Sequence, residues 1–153
     1  METFKTTRDI TEWLRKTHRR LSRFYDQHRK VADKERVRLL LDYLSRHEQT
    51  LEKALADLED EARQQILDTY FQYLPEEFDE LRFDDLHLLE SDMTVDDVIR
   101  IVTRNDEALT RLYDRLAQTA AIPSVKDMFV RLRDQLEEER TRLVENAMHL
   151  KDI

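Results

Sequence analysis

The sequence predicts an all-α protein, a four-helix bundle made of two pseudo-repeated helical hairpins joined by a long crossover. Three observations predict it. The 153 residues include no Gly and only two Pro, at positions 75 and 123, whereas a sheet protein needs Gly in its tight turns. Charged residues make up 39% of the chain and are interleaved with Leu and Ala, the composition of amphipathic helices with solvated outer faces. Apolar residues recur at intervals of three and four through four long segments, and a chain of this length is expected to form one domain with a real core.

The first segment is predicted over 6–32. Ile10, Leu14, Thr17, Leu21, Phe24, His28 and Val31 mark one helical face, and Thr6 with Asp9 makes a [ST]-x-x-[DE] cap. The second runs over 34–73, through Val37, Leu41, Leu44, Glu48, Leu51, Leu55 and Leu58, with Pro75 expected to stop it. An acidic crossover follows at 74–93. It carries too many apolar residues, among them Phe78, Leu81, Phe83 and Leu86, to be disordered. Thr94 with Asp97 caps a third helix over 94–120, through Val98, Val102, Leu109, Leu112 and Leu116. After Pro123, Ser124 with Asp127 caps the fourth, over 124–151, through Val125, Phe129, Leu132, Leu136, Leu143, Ala147 and Leu150. Short links inside each pair and one long connection between pairs define a bundle with a single crossover. The expected organisation is therefore hairpin 1 at 6–73, crossover at 74–93 and hairpin 2 at 94–151.

The hairpins resemble each other. LSRFYDQ at 21–27 returns as LTRLYDR at 109–115, an offset of 88 positions. The same offset, without a gap, sets Thr6 on Thr94, Asp9 on Asp97, Ile10 on Val98, Val37 on Val125, Leu41 on Phe129 and Leu55 on Leu143. One register that covers both helices and their caps indicates two copies of one hairpin related by an approximate two-fold.

The composition excludes several function classes. With no Cys there are no disulfides, thiolate metal sites or cysteine nucleophiles. With no Gly there are no common phosphate-cradling loops. No Ser-His-Asp arrangement is visible. The start METFKTTRD lacks the apolar run of a signal peptide, and no stretch approaches about 18 apolar residues, so a soluble, cytoplasmic protein without a membrane span is expected. Net charge is −8, yet residues 1–46 carry 13 Lys/Arg against 7 Asp/Glu, while 75–97 holds ten carboxylates against Arg82. Nucleic acid is not an expected partner, despite Arg15, Arg19 and Arg23 on one stripe. Basic and acidic faces are expected to complement one another within the molecule or between two copies.

Polar residues interrupt each apolar stripe near mid-helix: Thr17 and His18, Glu48, Asn105 and Asp106, and Glu139. In an antiparallel bundle these fall at a similar level, and buried carboxylates there need partners. A crossover bundle of two similar hairpins resembles the ferritin-like fold, particularly its rubrerythrin-like branch. In that family the first and third helices carry Glu-x-x-small-x-x-x-Tyr and the second and fourth Glu-x-x-His, which together bind two irons. Laid on this chain, the first pattern meets His18, Leu21 and Tyr25, then Asp106, Leu109 and Tyr113. The second meets Glu48 and Leu51, then Leu136 and Glu139.

Both His of the Glu-x-x-His pairs and one bridging Glu are thus missing, so the resemblance implies a degenerate di-iron ligand set. The leading expectation is a non-catalytic structural or protein-interaction module with no metal or cofactor, self-associating as a homodimer. The alternative is a metal-binding or redox protein with one Fe, Mn or Zn held by His18, Glu48, Asp106 and Glu139. Lesser candidates are Asp84, His87 and Glu90 at i, i+3, i+6, where a solvated His is expected; Glu145 with His149 near a helix end; and Trp13 with Tyr73 as aromatic anchors. His47, adjacent to Glu48, is expected to point to the surface. A small-ligand pocket among the crossover aromatics is a third reading.

Overall fold

Two Thr-x-x-Asp sequences start the first helix of each hairpin, and both form complete capping boxes. The hydroxyl of Thr6 accepts from the Asp9 N–H while the Asp9 carboxylate accepts from the Thr6 N–H, and Thr94 with Asp97 repeats the arrangement. The structure, a computed structural model, describes residues 6–71, 75, 77 and 90–151. Its elements are α1 (Thr7–Val31), α2 (Glu35–Glu61), the short α3 (Gln64–Leu67), α4 (Val95–Thr119) and α5 (Pro123–Lys151). Most of the expected crossover, with Tyr73, Asp84 and His87, lies outside the described residues; Glu90 is exposed.

Helix ends explain how the chain manages without Gly. Ala32, Ala62 and Ala120 close α1, α2 and α4 in extended conformation, with ψ of 137°, 139° and 134°. No described residue has positive φ. These helices therefore stop by stepping into an extended residue rather than through the left-handed cap that favours Gly. Ala32 and Ala120 are themselves equivalent in the 88-residue register.

α1 packs on α2 and α4 on α5, and α2 also meets both helices of the second hairpin. Ile10, Leu55, Leu116 and Val125 share one apolar cluster, whereas Tyr25, Val37, Val98 and Ala147 belong to another. The starts of α1 and α5 therefore lie with the ends of α2 and α4, so α1 is antiparallel to both α2 and α4. The chain leaves the first hairpin beside the start of α1, where Thr69 O accepts from the Thr7 N–H and hydroxyl at 2.9 and 3.2 Å. It returns at the opposite end, where Ser91 O accepts from the Asp33 N–H at 2.9 Å. The crossover thus connects the two ends of the bundle, as its length suggested.

The second helix is shorter than the periodicity predicted. It stops at Glu61, not near residue 73. Its partner α1 begins at Thr7, so a straight continuation would carry Ile66, Leu67 and Phe71 beyond anything to pack on. The break at Ala62 folds these residues back, and Leu67 and Phe71 are buried. Phe71 meets Phe129 edge-on at 5.9 Å between ring centroids.

Between the two apolar clusters lies a polar band: Thr17, His18, Ser22, Ser45, His47, Glu48, Asn105, Asp106 and Glu139 are all buried. The fold places the functional question there.

Candidate metal centre

The band is assembled from all four long helices. α1 contributes His18, whose Nδ1 lies 2.5 Å from Glu48 Oε2 of α2. Both side chains are almost fully buried. The two side chains are hydrogen-bonded to each other, with the donor set by the tautomer of the ring. This bond fixes the orientation of Glu48.

His47 is also inside, contrary to the surface position expected from its adjacency to Glu48. Its side chain is 0% exposed. Neighbouring residues on a helix diverge by about 100°, but α2 is flanked by α1 on one side and by α4 and α5 on the other. Its buried arc is therefore wide enough for two adjacent positions: Glu48 turns toward α1 and His47 toward the second hairpin. The signal was present in the sequence, because Leu40, Leu44, His47 and Leu51 form a second stripe at steps of four, three and four.

The two His47 nitrogens face carboxylates of different helices. Nε2 lies 3.6 Å from Asp106 Oδ2 of α4, and Nδ1 lies 3.7 Å from Glu139 Oε2 of α5. Both separations exceed hydrogen-bonding distance. Consequently both His47 nitrogens and Asp106 Oδ2 are buried without a hydrogen-bond partner, and so, separately, is His18 Nε2. Orphaned polar atoms in a core are costly, and several in one layer call for an explanation.

The local charges follow from this crowding. Burial pulls the His47 imidazole down, but Asp106, Glu48 and Glu139 together hold it above its ordinary value. Burial pushes the Asp106 carboxyl up, and His47 offsets this only in part. The phenols of Tyr25 and Tyr113 are raised by burial and by the nearby charges of Glu48 and Asp106. The Tyr43 ring stacks on His47, with centroids 6.4 Å apart and planes inclined by 20°. Arg142 Nη1 donates to Glu139 Oε1 at 2.8 Å, satisfying one of its oxygens from the outer side.

His18, Glu48, Asp106 and Glu139 are thus all brought into one layer, and the sequence missed their link, His47. Ligand atoms of His47, Glu48 and Asp106 lie within 4.8 Å of one another. Two nitrogen and carboxylate donor types from two helices converge there, with orphaned atoms turned inward. These residues fit one ion. Leu51 and Leu136, on which the resemblance sets a His and a Glu of the di-iron pattern, are buried in the apolar cluster. The other sequence candidates stay apart from the layer. Glu145 and His149 are exposed, and Trp13 packs at the edge of the first cluster. Arg15 and Arg19 pair with Glu52, and Arg15 also with Glu59, so much of the basic stripe is answered within the molecule.

No protein-family model and no curated protein matches the sequence. Among solved structures, the chain is similar to a ferritin-like diiron-carboxylate protein from Thermotoga maritima. The TM-score is 0.59 at 16% identity, over 97% of this chain and 98% of that one. At that identity the likeness bears on architecture alone, and the architecture it shows is the ferritin-like fold.

Proposed function

We propose that the protein is a metal-binding ferritin-like bundle that holds one Fe, Mn or Zn ion at mid-height through His47, Glu48 and Asp106. The observation that carries this reading is the set of orphaned buried atoms, His47 Nδ1 and Nε2, Asp106 Oδ2 and His18 Nε2, gathered in a single layer. Mixed imidazole and carboxylate donors suit these metals better than Ca or Mg. His18 acts by holding Glu48 in place, as hydrogen-bonded neighbours of metal ligands commonly do. Glu139 places a carboxylate 3.7 Å from His47 Nδ1, on the side of α5. A bound ion of this kind supplies Lewis acidity or, for Fe and Mn, one-electron chemistry.

The test is elemental analysis of protein purified without chelator. The expected result is about one transition metal per chain, lost in His47→Ala and Asp106→Ala. Protein that carries no metal, and takes up none when Mn, Fe or Zn is offered, overturns the reading.

A specific observation favours a second reading, a metal-free polar layer in a structural or interaction module: Glu48 and Glu139 each already have one hydrogen-bonded side-chain partner, His18 and Arg142. In that case Glu48→Leu with Glu139→Leu leaves the fold intact or more stable. Exposed Leu39 on α2, with Val144 and Met148 on α5, offers apolar surface for self-association under this reading.

A further inference from the structure

The polar layer is closed on most sides. Between α1 and α2, Ser22 and Ser45 exchange hydroxyl-to-carbonyl hydrogen bonds at 3.0 Å, and Gln49 adds one to Ser22. Toward α5, the Tyr43 ring covers His47, and Arg142 lies against Glu139. The seam between α1 and α4 differs. Their backbones stand further apart than those of either hairpin, and a cavity of about 20 Å³ lies between them. That volume accommodates one water-sized body.

We infer that a divalent ion reaches the centre through this seam, across a rim formed by Thr17 and Asn105; the inference rests on the metal-binding reading proposed above. The cavity is lined by Thr17 and His18 of α1, Asn105 and Asp106 of α4 and Glu48 of α2, with leucines between. It therefore touches two of the three residues grouped as ligands and not the third, His47, so it opens on the side of the centre opposite the imidazole. Polar atoms are graded along it. Thr17 and Asn105 each keep 9% of their surface exposed, while His18 and Glu48 keep 2%.

Asn105 and His18, which line the cavity, each carry a buried nitrogen without a hydrogen-bond partner, Nδ2 and Nε2. A passing ion must exchange its waters for other oxygens, because stripping it in an apolar passage is prohibitive. The Thr17 hydroxyl and the Asn105 carbonyl can supply that exchange before the carboxylates of Glu48 and Asp106 take over. Thr17 and Asn105 are also equivalent positions of the repeat. The pseudo-two-fold therefore runs through the rim.

A rim residue changes how fast the ion crosses in either direction, not how tightly it is held. The full-length protein is stripped with chelator, desalted and mixed rapidly with Co(II), and uptake is followed by the visible absorbance of the bound ion. Release into excess chelator gives the reverse rate. Thr17→Val and Asn105→Leu, which remove oxygens with little change of volume, are expected to slow uptake and release alike by about tenfold or more. Stoichiometry and affinity should stay unchanged. Thr17→Ser, which keeps the hydroxyl and widens the rim by a methyl, is the folded control and should match or exceed the wild-type rates.

Unchanged rates in Thr17→Val and Asn105→Leu overturn the route while leaving the metal centre standing. Loss of affinity with no rate change at saturation overturns it too, by making Thr17 or Asn105 a ligand. Failure of the wild-type chain to bind Co(II) overturns both the route and the reading it rests on.

Discussion

The two hairpins share a skeleton but not a polar inventory. Their capping boxes, the alanines that end α1 and α4, and their buried tyrosines Tyr25 and Tyr113 correspond position by position. Where polar residues enter the core, correspondence gives way to complementarity. His18 answers Asp106, Thr17 answers Asn105, Glu48 answers Leu136 and Leu51 answers Glu139. Each half thus supplies a carboxylate where the other supplies a leucine. The apolar positions of a repeat must stay alike because both copies fill the same space. A site on the two-fold axis needs only one of each pair, so its residues are free to diverge.

The largest test of this complementarity restores symmetry. Leu136→Glu places in the second hairpin the carboxylate that Glu48 provides in the first, at a fully buried position. In chelator it should cost about 3–5 kcal/mol, as for an uncompensated buried charge. Urea denaturation with and without Mn(II) measures the cost and how much of it the metal restores.

Next come the equivalent apolar residues Leu41 and Phe129, buried in opposite clusters. Phe129→Ala should cost about 3–5 kcal/mol and Leu41→Ala about 2–5, the aromatic losing more because it also meets Phe71 edge-on and stacks on Tyr113. Equal losses would place the two clusters on one footing.

The seams within the hairpins differ as well. Ser45 is buried and hydrogen-bonded to Ser22, whereas its equivalent Arg133 makes a partly exposed pair with Asp114 at 2.8 Å. Ser45→Ala should cost about 1 kcal/mol. Arg133→Ala should cost about 0.2–1 kcal/mol, and its effect should fade in high salt.

The smallest effect lies in the caps. The Thr94 N–H and hydroxyl hold the Asp97 carboxyl below its ordinary value. A depressed folded-state value means the contribution is complete above the unfolded value, about 3.9, and is lost as pH falls through the folded one. Asp97→Asn should therefore flatten the fall in melting temperature below about pH 4 while leaving the profile at pH 6–8 parallel to wild type.

Much of this was legible in the sequence. The helices, the capped starts of α1 and α4, the repeat and the level of the polar layer follow from local chemistry: capping hydrogen bonds and a 3.6-residue period are both written within a few positions. The expected Ser124 cap does not form, because α5 already begins at Pro123 and takes Ser124 into its first turn. His47 was not legible from adjacency to Glu48, because burial depends on how many helices surround α2, which is a tertiary fact. The early end of α2 escaped for a similar reason. The periodicity of Ile66, Leu67, Tyr70 and Phe71 suits a helix, and only the start of the neighbouring helix α1 at Thr7 removes its support. The gathering of orphaned atoms around His47 is likewise a property of three helices at once, so no single stripe displays it.

The alanine terminators have a consequence for the denatured chain. A bundle that ends its helices with left-handed glycines carries, at every link, a residue that is freest when unfolded. Here the links at Ala32, Ala62 and Ala120 use a residue with far fewer unfolded conformations and a folded geometry it adopts without strain. Each such choice is worth about 0.4–1 kcal/mol relative to glycine, and it arises from disorder the unfolded polypeptide never had. Part of this protein's stability therefore belongs to no contact in the bundle.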